Sequence, residues 1–136
     1  ADGLTGFEFG YAPLDTTEDG KNDPLVGDLD PPHRMMQWHE DSAALPAGAV
    51  HLVRSEATPN QGFRLGRATY GFQGHFEATP AILETWMKAA KSPRRHFGER
   101  VDEELARVRG EIARHAEDAR RFAQTVTERW LALARR

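Results

Sequence analysis

Apolar and polar positions divide this chain into two regions with different periods. Up to about residue 78 the apolar residues come in short runs, many alternating with polar ones, and turn residues separate the runs. That pattern predicts short strands joined by loops. Phe7 to Tyr11 and Ala12 to Thr16 read as two extended pieces, followed by the turn Thr17-Glu18-Asp19-Gly20. Asp23-Pro24 predicts one helical turn over 23–29, with Asp23 as cap and Pro24 in the first position. Asp30-Pro31-Pro32 breaks any helix there. Strands are expected over 34–39 and 49–55, then a hairpin of 63–65 and 69–73 joined by Gly66-Arg67-Ala68.

From Thr79 onward the period becomes helical. Thr79-Pro80 is a capping hydroxyl followed by proline at the first position, and Ile82, Leu83, Trp86 and Met87 form an apolar stripe. Ser92-Pro93 is expected to end this helix. Val101, Leu105, Val108, Ile112, Ala119, Phe122, Val126, Trp130 and Leu133 then recur at helical spacing. They predict one helix of roughly nine turns, or two broken near Gly110. Such a stripe suits core packing, and its length also allows a seam with a second copy of the chain.

Composition narrows the possible functions. With 18 basic and 21 acidic residues the net charge is -3, which offers no field for nucleic acid or an anionic membrane. No apolar run is long enough to span a bilayer. Ala1 to Gly10 lack the basic start and apolar run of a signal peptide, so a cytoplasmic location is expected. The six histidines do not form a His-x-x-x-His pair, and no metal site is expected. Cysteine is absent, which removes disulfides, thiolate metal sites and thiol catalysis by these residues themselves. Arg94-Arg95 and Arg120-Arg121 have acidic neighbours and read as solvated helix surface.

The chemistry-bearing segment is Gln73-Gly74-His75-Phe76-Glu77, just past a strand end. An imidazole beside a carboxylate is the base and its orienter in a nucleophilic triad. Alone, His-x-Glu is a weak signal. Its context includes Glu8-Phe9-Gly10-Tyr11, Asp23-Pro24-Leu25, Trp38-His39-Glu40-Asp41, Leu45-Pro46-Ala47-Gly48-Ala49, Ser55 and Gln61-Gly62-Phe63.

Over residues 7 to about 90 this order resembles the C-terminal half of class I glutamine amidotransferase domains. That family shows a His-Gly-Asp segment, a Leu-Pro-x-Gly-Ala turn, a strand ending in Ser, a Gln-Ala-Phe strand and a closing Gly-x-Gln-Phe-His-Pro-Glu. The resemblance implies an α/β fold, part of a flavodoxin-like mixed sheet, over 1–92, with a helical tail over 93–136 that packs on it or on a partner chain. It implies catalytic roles for His75 (acid/base) and Glu77 (orienter), and proximity of Trp38, His39 and Glu40 to the substrate. The substrate would be L-glutamine, with no cofactor. A cysteine would attack the carboxamide, and ammonia would be released or transferred.

Three features depart from the family pattern. Glu40 stands where the family has Gly, and Gly74 and Phe76 stand where it has Phe and Pro. The nucleophile elbow, Gly-x-Cys-x-Gly, does not occur in these 136 residues, nor does its Ser counterpart. The expectation is that these residues are one half of a larger unit, accompanied by a second polypeptide that carries the cysteine. Two rival readings are a non-catalytic relative that binds glutamine or a protein, and a γ-glutamyl hydrolase using the same triad.

Overall fold

The structure is a computed structural model, and it describes residues 7–29 and 33–136. Five strands, β1 (Glu8–Thr16), β2 (His33–His39), β3 (Val50–Arg54), β4 (Gly62–Leu65) and β5 (Thr69–Phe72), precede three helices. These are α1 (Pro80–Ala89), α2 (Lys91–Phe97) and α3 (Val101–Ala134). The sheet order is β2-β1-β3-β4-β5, and each pair of neighbours is antiparallel. The α/β class and the helical C-terminal portion are as expected, and the part of the sheet that this chain forms is antiparallel. The sheet curls: beyond β5, the His75 amide donates to the Met36 carbonyl of β2 at 2.7 Å in an isolated antiparallel bridge.

The first two extended pieces are one strand. β1 runs through Pro13, opposite Arg34 of β2. Proline is tolerated because β3 pairs only with Asp15 and Thr16, so β1 has a ladder partner on one side alone at that point. The unpaired edge of β1 is served by α3 instead. Glu111 accepts from the Tyr11 amide at 2.8 Å, and Arg107 donates to the Phe9 carbonyl at 2.8 Å. Both groups would otherwise be left without strand partners. Between them Gly10 has a φ of 118°, and a Cβ there would lie 2.5 Å from the Glu111 carboxylate.

Residues 24–28 form the one expected turn, with the Gly27 amide donating to the Asp23 carbonyl at 2.9 Å in the i to i+4 spacing of a helix. Asp23 does cap the segment: its Oδ1 accepts from the Leu25 amide at 2.8 Å. The expected break at Asp30-Pro31-Pro32 lies outside the described residues. Thr79 caps α1 as expected, its hydroxyl accepting from the Ile82 amide. Ser92-Pro93 does not lie past the end of the helical region. The chain turns at Ala90, the one described non-glycine residue with positive φ, and Pro93 occupies the first turn of α2, where a missing N–H is harmless.

α3 is a single helix of 34 residues, unbroken at Gly110. A helical glycine costs only about 1 kcal/mol relative to alanine. Burial of side chains such as Val108 or Leu105 contributes roughly 1.5–3 kcal/mol each. The stripe packs on the sheet. Val101, Leu105, Val108, Ile112 and Ala119 join Phe9, Tyr11, Met36, Leu83 and Met87 in one core cluster. Phe122 and Val126 join Leu14, Leu25, Met35, Leu52 and Val53 in a second. Trp130 stays partly exposed, with its indole donating to the Ala68 carbonyl at 2.8 Å.

Candidate active site

His75 follows β5 in a non-helical segment that three attachments hold in place. Its own amide bonds to β2, as described above. Before it, Gly74 is buried against β2: a Cβ there would come within 2.5 Å of Gln37 Nε2 and 2.7 Å of Met35 Sδ. After it, Phe76 packs edge-to-face on Phe72 at 5.3 Å and on Phe122 at 6.2 Å. Two of the residues that depart from the family pattern therefore have local reasons. One lets the loop approach the sheet, and the other anchors it in the second core cluster.

His75 and Glu77 meet as the sequence suggests. The His75 Nδ1 lies 2.8 Å from Glu77 Oε1, and their side chains are 31% and 59% exposed. The carboxylate holds one ring nitrogen and leaves Nε2 as the nitrogen to meet a reacting group. Trp86 of α1 stands edge-to-face against the imidazole at 5.0 Å and against Trp38 at 5.8 Å. Trp38 in turn donates its indole N–H to Ser92 Oγ at 3.3 Å. These residues line an open depression of about 340 Å³ in which His75 is the one imidazole.

The side chains of His39 and Glu40, the other two residues of the stretch Trp38-His39-Glu40, turn away from this depression. Trp38 and His39 are neighbours on a strand, so their side chains point to opposite faces. His39 turns into a buried polar cluster with Glu8, its partner across the β1–β2 ladder. Its Nε2 lies 3.2 Å from Glu8 Oε2 and 3.0 Å from Gln37 Oε1, and its Nδ1 lies 2.9 Å from the Asp41 carbonyl oxygen. Both ring nitrogens of His39 thus have partners within the fold. Gln61 donates to Glu8 at 2.9 Å, and Ser55 donates to Glu8 at 3.1 Å. Burial raises the Glu8 pKa, but hydrogen bonds from His39, Thr58 and Ser55 outweigh it and hold the carboxyl below its ordinary value. Glu40 is exposed, and both of its carboxylate oxygens accept from Arg95 of α2.

Of the residues singled out from the sequence, His75 and Trp38 border this depression and Glu77 engages His75. Trp86, Lys91 and Ser92, which were not singled out, border it too. Trp86 was legible only as a member of an apolar stripe. Leu83 and Met87 of that stripe are buried, whereas Trp86 lies on its margin and is half-exposed. Among the described residues, no group of three or more histidine or acidic side chains is placed to hold a metal. No described helix is long and apolar enough to cross a membrane.

No protein-family model matches the chain. A curated relative, the glutamine amidotransferase-like protein YfeJ of Salmonella typhimurium, is 36% identical over 77 residues, covering 57% of this chain and 32% of that protein. Among solved structures, a glutamine amidotransferase from Thermotoga maritima superposes with a TM-score of 0.74 at 25% identity, over 93% of this chain and 51% of that one. A glutamine amidotransferase from Methylobacillus flagellatus gives 0.72 at 25% identity, over 93% of this chain and 52% of its own. The chain thus spans about a third of the length of the curated relative and about half that of the solved ones. Its fold is glutamine amidotransferase-like.

Proposed function

We propose, taking the glutamine amidotransferase-like fold as premise, that His75 and Glu77 serve a cysteine-dependent attack on the carboxamide of L-glutamine. The cysteine comes from outside these 136 residues, on a second polypeptide or segment that completes the fold. The observation that carries this reading is the 2.8 Å contact between His75 Nδ1 and Glu77 Oε1, with the imidazole open to solvent on one side.

The division of labour follows from that contact. Glu77 fixes the ring orientation and steadies the imidazolium once it forms. Nε2 takes the thiol proton as sulfur attacks the side-chain carbonyl carbon. The same nitrogen then protonates the departing nitrogen, and ammonia leaves behind a glutamyl thioester. Water then hydrolyses the thioester, releasing glutamate and restoring the thiol, while the ammonia is set free or passed to an acceptor. Trp38 lies beside His75 in this scheme. The backbone of 39–41, tied by His39 through the Asp41 carbonyl, shapes the neighbouring loop. Glu40 acts there through its pairing with α2 rather than as a free carboxylate.

The test is ammonia release from glutamine by this chain combined with its cysteine-bearing partner, identified by mass spectrometry of co-purified material. Turnover is expected only when both are present, and only while His75 is intact. Glutamine turnover by the combination with His75 replaced by alanine at near-normal rate rules the assignment out.

A further inference from the structure

His75 sits where the two ends of the sheet meet. β2 and β5 are the outermost strands, yet the His75 amide, just past β5, bonds to the Met36 carbonyl of β2. Beside that bridge lie two fully buried glutamines, Gln37 of β2 and Gln61, the residue before β4. Gln61 Nε2 donates to Gln37 Oε1 at 3.1 Å, so a side-chain bond crosses the same seam. Each glutamine also meets the segment that carries His75. The Gln61 carbonyl accepts from the Gln73 amide at 2.9 Å, and Gln37 Nε2 stands against Gly74.

The pair has one workable orientation. Gln61 Nε2 also donates to the Glu8 carboxylate at 2.9 Å. Turned over, the Gln61 amide would set its oxygen against that carboxylate, two acceptors facing each other. With Gln61 fixed as donor, Gln37 must offer its oxygen. Its own Nε2 is then left for the Met35 carbonyl, at 3.4 Å, and for the side of Gly74. Such a buried network resists rearrangement, because any other arrangement leaves polar groups unpaired. Both glutamines are closed to solvent within these residues, so they act on the site through the loop and not on substrate.

We infer that Gln37 and Gln61 are positioning residues for His75: their hydrogen bond locks the seam between β2 and the β4–β5 hairpin and so fixes where the imidazole stands. The inference rests on the acid/base role proposed for His75. A loop free to rock at this seam would move Nε2 against the attacking sulfur, and a misplacement of about 1 Å costs roughly 100-fold in rate.

Amide hydrogen exchange reads the lock on this chain without turnover. Gln37→Met and Gln61→Met keep the side-chain length and remove the bond from opposite sides of the seam. In each, protection of the Gln73 and His75 amides is expected to fall about tenfold beyond the loss of global stability read by urea. Leu105→Ala, which thins the core cluster under α3, is expected to lower stability with no such excess. Equal loss in all three variants makes the glutamines ordinary core and overturns the inference. In the unaltered chain, a nuclear Overhauser contact between the Gln37 side-chain amide and the Gly74 α-protons is expected, and its absence overturns the inference as well. In the completed enzyme, kcat for glutamine is expected to fall about 10- to 100-fold in both glutamine variants with KM changed less than about twofold, while Leu105→Ala keeps its kcat. Loosened His75 exchange with unchanged kcat overturns the link from the lock to catalysis. Loosened exchange in an enzyme that stays active after His75→Ala overturns the acid/base role instead.

Discussion

Among the described residues, two histidine–glutamate pairs on β2 and its surroundings are opposites. His75 and Glu77 lie two residues apart, half open to solvent, beside a depression. His39 and Glu8 lie 31 positions apart and face each other across the β1–β2 ladder, with side chains only 8% and 10% exposed. In the first pair Glu77 engages one ring nitrogen, and the second nitrogen is left to chemistry. In the second pair both nitrogens and the carboxylate are engaged, by Asp41, Gln37, Ser55 and Gln61. The same two residue types thus leave one ring nitrogen uncommitted to Glu77 in the first pair and commit both in the second. Burial and the count of committed hydrogen bonds both separate the two pairs.

The contrast can be broken at either end. The largest effect is expected at the open pair. His75→Ala in the completed enzyme should lower turnover by about three orders of magnitude or more, with the fold stability changed by less than about 1 kcal/mol. A stopped assay and a urea titration on one preparation read both quantities. A large loss of stability with modest loss of turnover would make His75 structural too.

Glu8→Ala is expected to do the reverse. It strips the buried cluster of its carboxylate and should destabilise the fold by about 2–4 kcal/mol, seen as a lower urea midpoint. This pair also predicts a pH dependence. The Glu8 pKa is held below its unfolded value of 4.5, so its contribution is present above that pH and is lost as pH falls through the lower folded value. As pH falls below 4.5, wild-type urea midpoints should therefore drop more than those of Glu8→Gln. Parallel curves for the two proteins would remove Glu8 from the account.

Gly74 stands between the two regions, touching Gln37 of the buried cluster and preceding His75. Gly74→Ala should cost about 1–3 kcal/mol, because Gln37 and Met35 must move. Since that movement reaches the His75 loop, turnover should fall as well. A variant with unchanged stability would mean the loop sits further from the sheet. The smallest effect is expected for Arg95→Ala, which frees the exposed Glu40 carboxylate: about 0–1 kcal/mol by thermal melting.

Local pattern was informative wherever a residue's role depended on its near neighbours. Thr79-Pro80 announced α1, the alternation around Val50 to Arg54 announced β3, and the Gly66 turn announced the β4–β5 hairpin. His75 and Glu77 were legible for the same reason, since two residues of separation guarantee proximity. Reading failed where a distant element supplied the missing term. Phe7 to Tyr11 and Ala12 to Thr16 were read as two pieces, and pairing with β2 through Leu14 makes them one strand, with Pro13 tolerated where β3 does not reach. Pro93 argued for a helix end, and the positive φ of Ala90 turned it into a helix start. For Trp38, His39 and Glu40, read from the family resemblance as a stretch beside the substrate, the sequence did not show where each side chain goes. Strand alternation sends the first two to opposite faces, and Arg95 takes the third.

By itself, then, the sequence determined the two-part layout, the helical stripe, the absence of an internal thiol and the pairing of His75 with Glu77. These follow from residue type and short-range spacing. Tertiary structure decided which of the two histidine–glutamate pairs stays open. It did so because β1 brings Glu8 against His39 from 31 positions away, and because α1 sets Trp86 beside His75, turning a two-residue motif into the edge of a depression.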